Sequence, residues 1–330
     1  MNSSNSHKKT LSKIAQIIRS SKTFFIAGHI KPDGDSLGSS LGLAEALEIM
    51  GKKACVYCID DVPENLKFLK NSNLIKKNTK EYEKFDCAII LESMNFERIG
   101  NIISPKQAGK IINIDHHLSY GEFGDANYVV PDSSSTAELI LNIVEYMKVK
   151  ISKSCAQSIY TGILTDTGRF QQSNTTPNSH IAAAKLISYG ADVNEIYKKV
   201  YESSSVEALK LQGLALEKIK TLYKNQFVYT ILTKKMLKKS GVKSEASEGI
   251  VNYTLRIEGA KIGCLFKEVD KKSTKISFRS VKSFNALEIA QKYGGGGHKN
   301  AAGCCVNRNI DDTIKEISKT IREKLNAKSL

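Results

Sequence analysis

Short apolar runs punctuate the first part of the chain at Thr23 to Ala27, Ala54 to Ile59, Cys87 to Leu91 and Ile111 to Ile114, with helical patterns or loops between them. Runs this short and this continuously apolar predict strands of a parallel sheet buried on both faces. From Ser134 to about Tyr201 the spacing turns helical: Leu139, Ile143 and Met147 share one face, and Ile159, Ile163 and Leu164 another. Val206 to Leu222 contains no proline and reads as one long helix connecting two domains. Beyond it, Gln226 to Leu232, Tyr253 to Ile257, Ala260 to Glu268 and Lys275 to Ser280 predict strands, with helices near Ser247 and Asn285. The expected architecture is α/β. A parallel-sheet domain with helices on both faces occupies residues 1–200, a connector helix 201–223, and a smaller α/β domain with a mixed sheet 224–330. The cleft between two such domains is a natural substrate site.

A length of 330 residues agrees with two domains, and 41% hydrophobic with 25% charged residues excludes disordered and fibrous classes. The net charge of +15 favours polyanionic partners. Much of that excess is lysine scattered along helices, as at Lys52, Lys53, Lys198 and Lys199, which is the pattern of a solvated face. Seven cysteines without disulfide-like spacing predict a reduced, cytoplasmic setting. Cys55-Val-Tyr-Cys58 lies in a strand-like run instead of opening a helix, so it is not expected to be a redox pair. MNSSNSHKKT has no apolar signal region, and no segment approaches the roughly 18 apolar residues of a membrane span.

Candidate chemistry concentrates where predicted strands end. In GHIKPDGDSLGSSLG, Gly28 to Gly42, an imidazole and two carboxylates (His29, Asp33, Asp35) sit between a strand and a helix. Pro32 and Gly34 break helical continuity, so these groups belong to a loop at the carboxyl edge of the sheet, where α/β proteins place their chemistry. Taken singly, Asp35 or Ser36 is an ordinary helix cap. Jointly the picture differs, because another strand ends in Asp115-His116-His117, a third in Glu92, and a helix in Thr165-Asp166-Thr167-Gly168. Three of the six histidines fall at these strand ends. His29, Asp33, Asp35, Glu92, His116 and Asp166 form a ligand set of hard oxygen and imidazole without thiolate, which favours Mn²⁺ or Mg²⁺ over structural zinc. Six ligands are more than one ion takes while leaving room for substrate. Two divalent cations are therefore expected, Mn²⁺ foremost with Mg²⁺ or Co²⁺ as alternatives, an arrangement that braces the attacking and leaving oxygens of phosphoryl transfer.

GHIKPDGDSLGS, followed by Asp115-His116-His117 and then TDTGRF, resembles the DHH phosphoesterase superfamily. Gly294-Gly295-Gly296-Gly297-His298, leading into Ala301-Ala302-Gly303, resembles the glycine-rich signature of the DHH-associated C-terminal domain. The pair in one chain is similar to NrnA-type oligoribonucleases, or nanoRNases, many of which also dephosphorylate 3′-phosphoadenosine 5′-phosphate. The resemblance implies that His29 and Asp33 hold one ion, that Asp35, His116 and Asp166 hold the other, and that position 92 bridges them. It also implies that His117 acts on the scissile phosphate while Asp115 orients the histidines. The chain departs from the pattern at Glu92, where most relatives carry Asp. The extra methylene is expected to leave a working site with altered metal spacing or preference.

On the substrate side, the four glycines are read as a turn opening a helix near Ala301, with amides of Gly295, Gly296 and Gly297 and the His298 side chain receiving a phosphate. Arg279 and Ser280, closing the run ISFRS, match a substrate-contacting arginine of the family, and Arg256 is a further candidate. The expected substrates are short RNA oligonucleotides and nucleotides, pApA-like dinucleotides included, with no membrane partner. The oligomeric state stays open, a homodimer included. The competing reading is a non-catalytic nucleotide sensor whose metal site is weakened by Glu92.

Overall fold

The first element, α1 (Asn2–Ser20), buries Ile14, Ala15 and Ile18 on one face. There follow β1 (Thr23–Ala27), α2 (Gly34–Ile49), β2 (Lys53–Tyr57), β3 (Phe85–Leu91), β4 (Ala108–Asp115) and β5 (Ala126–Val129). Four helices complete the first unit: α3 (Thr136–Tyr146), α4 (Lys153–Asp166), α5 (Pro177–Ser188) and α6 (Val193–Tyr201). The computed structural model describes residues 2–117, 121–242, 247 and 249–326, without the side chains of residues 2–6 and His298. It separates into two units, Met1–Ser203 and Ser204–Leu330.

In the first unit the five strands run parallel in the order β2-β1-β3-β4-β5. Alternate residues of one strand face opposite sides, and both sides are buried, which explains why these strands read as unbroken apolar runs. Phe24, Ile26, Ile89, Leu91, Ile112 and Ile114 pack with the helical layer. Phe25, Ala27, Tyr57 and Ile90 form the opposite core with Ile99, Ile102 and Ile103, and Phe25 stacks on Tyr57 with ring centroids 4.6 Å apart. On that second face the helices are single 3₁₀ turns, Glu97–Ile99 and Pro105–Gln107.

The helical layer is drawn together by glycine. Gly34, Gly38 and Gly42 recur every fourth residue along one side of α2. A Cβ at Gly38 would lie 2.3 Å from the Ser158 carbonyl oxygen, and one at Gly42 2.6 Å from Ile159 Cγ1, both on α4. Only hydrogen fits there, so α2 and α4 approach at backbone distance.

The second unit begins with α7 (Val206–Glu217), β6 (Lys220–Leu222), β7 (Phe227–Leu232) and α8 (Lys234–Ser240). A 3₁₀ helix (Ile250–Arg256) precedes β8 (Ile262–Asp270), β9 (Ser273–Ser280), α9 (Leu287–Lys292), β10 (Gly296–His298), β11 (Ala301–Val306) and α10 (Ile310–Asn326). The sheet order is β10-β11-β9-β8-β7-β6, with β7 and β8 parallel and the other pairs antiparallel, a mixed sheet. Phe227, Phe266, Ile276 and Phe278 form its core with Ile317 and Ile321 of α10.

Three expectations change in this unit. The connector helix stops at Glu217, because Lys220–Leu222 leaves to pair with β7 through a turn in which Tyr223, Lys224 and Asn225 all have positive φ (55°, 55° and 63°). Tyr253 to Ile257 is no strand. Its stretch buries Ile250, Val251 and Thr254, a helical spacing, and the Thr254 hydroxyl donates to the Val251 carbonyl 2.6 Å away. The glycine segment opens no helix. It forms β10, hairpinned onto β11 with Gly296 opposite Gly303. The helix expected near Ser247 falls largely on residues 243–246 and 248, outside the described part. Among the described residues no helix is long and apolar enough to cross a membrane.

Candidate metal centre

Three neighbouring parallel strands end at one edge of the first sheet, and the chain continues from each into a candidate ligand. After β1, Asp33 caps α2 by accepting the Ser36 amide at 3.0 Å, and Asp35 lies in the first helical turn. After β3, Glu92 turns the chain with φ of 52°, a left-handed conformation that costs a non-glycine residue about 1 kcal/mol. Its N–H donates to the Ile114 carbonyl on β4 at 3.0 Å, which fixes the turn. β4 ends on Asp115, directly before His116 and His117, and Asp166 closes α4.

These side chains converge. His29 Nδ1–H donates to the Ile30 carbonyl at 2.8 Å, leaving Nε2 as the lone-pair nitrogen. That Nε2 lies 3.7 Å from Asp33 Oδ2 and 3.7 Å from Glu92 Oε2. His116 Nε2 lies 3.8 Å from Asp35 Oδ2, 3.7 Å from Glu92 Oε1 and 3.6 Å from Asp166 Oδ2. Such separations exceed hydrogen-bond length, yet they are close to the spacing of donor atoms around a cation with bonds of about 2.0–2.2 Å. Two ligand groups result, His29 with Asp33 and Glu92, and Asp35 with Glu92 and His116, each with its donor atoms within 4.8 Å of one another. Glu92 belongs to both and turns one oxygen toward each histidine.

The electrostatics calls for positive charge. Glu92 is 4% exposed, and its Oε2 and His116 Nε2 are buried without a hydrogen-bond partner among the described residues. Burial, reinforced by the charges of Asp35 and Asp33, pushes the Glu92 carboxyl well above the ordinary carboxylate range. Burial and the same two charges do this to Asp166. Burial also works against charging His29, but Asp33 overrides it and holds the imidazole above its usual value. A divalent cation relieves this crowding of carboxylates, and the oxygen and imidazole donors suit Mn²⁺ or Mg²⁺. The residues present therefore fit a metal.

The surroundings hold the groups in place. Asp35, 1% exposed, accepts the Thr136 amide on Oδ2 at 2.7 Å, and the Ala137 amide at 2.8 Å and the Ser39 hydroxyl at 3.1 Å on Oδ1. Its charge thus rests on the first turn of α3, where the unpaired amides and the helix dipole favour an anion. Asp115 Oδ1 accepts both the His117 amide at 3.0 Å and His117 Nδ1–H at 2.7 Å, so the His117 ring has a fixed tautomer with Nε2 on its far side. The sequence reading missed the α3 amides and the glycine spacing. The first carries no side-chain signature, whereas Gly34, Gly38 and Gly42 were visible as an i, i+4 series. Gly162 on α4 belongs with them, since a Cβ there would meet Ala137 Cβ at 2.5 Å and Asp35 Oδ1 at 2.8 Å.

The candidates in the second unit lie on its own sheet. Backbone register aligns Arg279 of β9, Ala301 of β11 and His298 of β10 in one row, while the His298 side chain lies outside the described part. Arg279 is half-buried, donates to its neighbour's carbonyl at Phe278 (3.0 Å), and forms no ion pair with a carboxylate among the described residues. Burial disfavours its charged form. Ser280 is buried and spends its hydroxyl within the fold, donating to the Phe284 carbonyl at 2.7 Å and accepting from Asn300 Nδ2 at 2.9 Å. Arg256 stacks on Tyr253, its guanidinium 4.5 Å from the ring centroid. Gly295 and Gly297 serve close backbone approach, since a Cβ would lie 2.1 Å from the Gly303 carbonyl oxygen and 2.5 Å from that of Ala301. Gly296 pairs with Gly303 in the same hairpin. The helix-terminus argument for phosphate at these glycines falls away.

Comparison with known proteins extends these findings. The chain matches the DHH family, N-terminal domain, over residues 23–163 and the DHHA1 domain over residues 224–327. It is 29% identical over 316 residues to the bifunctional oligoribonuclease and PAP phosphatase NrnA of Thermus thermophilus, covering 94% of this chain and 93% of that protein. With the Bacillus subtilis protein of the same description, identity is 30% over 287 residues, covering 86% and 89%. The structure matches that of an exopolyphosphatase-related protein from Bacteroides fragilis with a TM-score of 0.90 at 30% identity, over 96% of both chains. The strand-edge histidines and carboxylates are thus set in a chain that belongs to the DHH family and joins that family's N-terminal domain to a DHHA1 domain.

Proposed function

We propose that this chain is a metal-dependent phosphodiesterase that degrades short oligoribonucleotides, pApA-like dinucleotides included, to 5′-mononucleotides, and that it also removes the 3′-phosphate of 3′-phosphoadenosine 5′-phosphate. The observation that carries the reading is the pair of ligand groups sharing Glu92 at the carboxyl edge of the parallel sheet. The relatives named oligoribonuclease and PAP phosphatase support the substrate class.

In this reading His29, Asp33 and Glu92 would hold one divalent cation, and Asp35, Glu92, His116 and Asp166 a second. Bound cations supply Lewis-acid activation of the phosphoryl group and of water, with Mn²⁺ as the expected ion. His117, its Nδ1–H given to Asp115, would as an imidazolium carry an Nε2–H to donate to a phosphate oxygen or to pass to the leaving oxygen. Arg279, half-buried and without a carboxylate partner among the described residues, is assigned to a substrate phosphate, which it can grip with two parallel hydrogen bonds. His298 is assigned to the same end of the substrate, on its register with Arg279 through Ala301, and the Gly295–Gly297 backbone is assigned there only as its chain neighbour. Arg256 and Ser280 have partners within the fold and are the weaker assignments. All seven cysteines are free thiols, which supports a reducing, cytoplasmic setting.

The sensor reading requires Glu92 to spoil the centre. The orientation of its two oxygens, one toward each histidine, favours the catalytic reading instead. The test is a panel of pApA, a five-nucleotide RNA, a long RNA and 3′-phosphoadenosine 5′-phosphate, at equal concentration with Mn²⁺-loaded protein. Mononucleotide release from the short substrates is expected. Binding without cleavage of any of them would establish the sensor in its place.

A further inference from the structure

After α4 the chain turns left-handed through Gly168, Arg169 and Phe170, with φ of 54°, 66° and 61°. It doubles back before the Thr176 cap of α5. The reversal is pinned by Gln171 and Gln172 amides donating to the Thr167 carbonyl at 3.0 and 2.9 Å, and by the Phe170 amide donating to the Thr167 hydroxyl at 3.1 Å. It returns Asn174 to the side of Asp166, eight residues earlier.

Asn174 Nδ2 donates to three acceptors: Asp166 Oδ2 at 2.9 Å, the Asp166 carbonyl at 3.1 Å and the Ser134 carbonyl at 2.8 Å. The amide orientation follows from those partners, since the flipped amide would set oxygen against three oxygens. Asp166 Oδ2 is the oxygen that faces His116 Nε2 at 3.6 Å. Ser134 directly precedes Ser135, the cap of α3, whose first amides hold Asp35, and Asp35 Oδ2 faces the same His116 Nε2 at 3.8 Å. One amide nitrogen therefore bonds the Asp166 carboxylate directly and, through the Ser134 carbonyl, the segment whose amides hold Asp35. The carboxylates differ in their support. Asp35 has three donors, whereas Asn174 is the one hydrogen-bond donor to the Asp166 carboxylate among the described residues. Asp166 is the last residue of its helix, with a side chain 26% exposed, and that bond is the one hydrogen bond among the described residues that favours a single orientation of its carboxylate.

We propose that Asn174 is a positioning residue that fixes Asp166 against His116 and couples it to the cradle of Asp35, an inference that rests on the metal reading above. Partners of this kind, one step behind a ligand, typically change metal affinity about 10- to 100-fold when removed. The experiment titrates full-length, metal-stripped protein with Mn²⁺ and follows free Mn²⁺ by electron paramagnetic resonance. The variants are Asn174→Ala, Asn174→Leu, Asp166→Ala and the double variant Asp166→Ala with Asn174→Ala. Leucine keeps about the volume of asparagine while removing the amide, and circular dichroism checks the fold of each protein. Both Asn174 variants are expected to weaken Mn²⁺ binding about tenfold or more, and the alanine change to add nothing once Asp166 is absent. Wild-type affinity in both folded Asn174 variants overturns the proposal. So does an equal loss with and without Asp166, which would assign Asn174 to the fold alone. A wild-type protein that binds no Mn²⁺ overturns the metal reading itself, a result distinct from either.

Discussion

Replacing glycine by alanine inside a helix ordinarily stabilises a protein by about 0.4–1 kcal/mol, because glycine loses more backbone entropy on folding. Gly213 in α7 is such a place, with nothing within 4 Å of an added Cβ. Gly162 in α4 offers the same propensity gain, and the opposite sign is expected. Its Cβ would lie 2.5 Å from Ala137 Cβ and 2.8 Å from Asp35 Oδ1, against about 3.5–4.0 Å for a relaxed carbon contact. Neither neighbour can turn aside. Ala137 has no rotamer to change, and Asp35 is held by the Thr136 and Ala137 amides. Helix α4 must retreat by about 1 Å, and overpacking of this kind costs about 1–3 kcal/mol. The clash exceeds the gain, leaving a net loss of up to about 2 kcal/mol for Gly162→Ala. In a unit of this size each kcal/mol shifts the melting temperature by about 2–4 °C. Scanning calorimetry should therefore show Gly213→Ala melting slightly above wild type and Gly162→Ala below it. Asp166 lies one helical turn beyond Gly162, so the retreat should also weaken Mn²⁺ binding. A Gly162→Ala protein that melts higher, as the Gly213 variant does, and binds Mn²⁺ normally would refute the close-packing account of the centre.

Four other outcomes are expected. Asp115→Asn replaces the acceptor of His117 Nδ1–H and should lower kcat roughly 100-fold or more with Mn²⁺ affinity retained, and an unchanged kcat would remove the pair from the mechanism. Glu92→Gln removes the charge common to both ligand groups, so the metal content measured by plasma mass spectrometry should fall; full retention would contradict the shared role. Metal-stripped protein should lose stability as pH rises above the ordinary carboxyl value of about 4 and on past the ordinary imidazole value of about 6.5. The reason is that Glu92, Asp166 and His29 all have folded-state pKa values raised above their ordinary values. A raised pKa contributes stability below the unfolded-state value that is lost as pH climbs through the folded-state one. Mn²⁺ should reverse the trend, and a flat melting profile across that range without metal would show that the crowded carboxylates are not strained. Arg279→Ala should raise KM several-fold for pApA, and an equal loss on a non-nucleotide phosphoester would contradict its assignment to the nucleotide phosphate.

The first sheet was legible because its strands are buried on both faces, and Phe24 to Ala27 or Ile89 to Leu91 cannot be mistaken for polar segments. Strand β5 escaped because Ala126–Val129 is short, lies at the sheet edge and alternates buried with half-buried residues. Tyr253 to Ile257 looked like a strand through its β-favouring residues, but burial at positions 250, 251 and 254 made it helical. The glycines at 294–297 permitted either a helix-opening turn or a hairpin. Pairing with Gly303 and Ala302, which lets two backbones meet without side chains between them, selected the hairpin.

The chain by itself singled out the groups proposed to carry the chemistry. Histidines and carboxylates placed where strands stop have few purposes, and the alternation of apolar runs with helices located those stops at one sheet edge. What it left undetermined was distance. That Glu92 presents one oxygen to His29 and the other to His116, that Asp35 rests on the amides of a helix a hundred residues away, and that Asn174 reaches back to Asp166 depend on how closely α2, α3 and α4 pack. Local patterns encode which face of an element is buried. The separation between elements is set by atoms from remote parts of the chain, here by the hydrogen at Gly38 and Gly162 where any larger group would hold the helices apart.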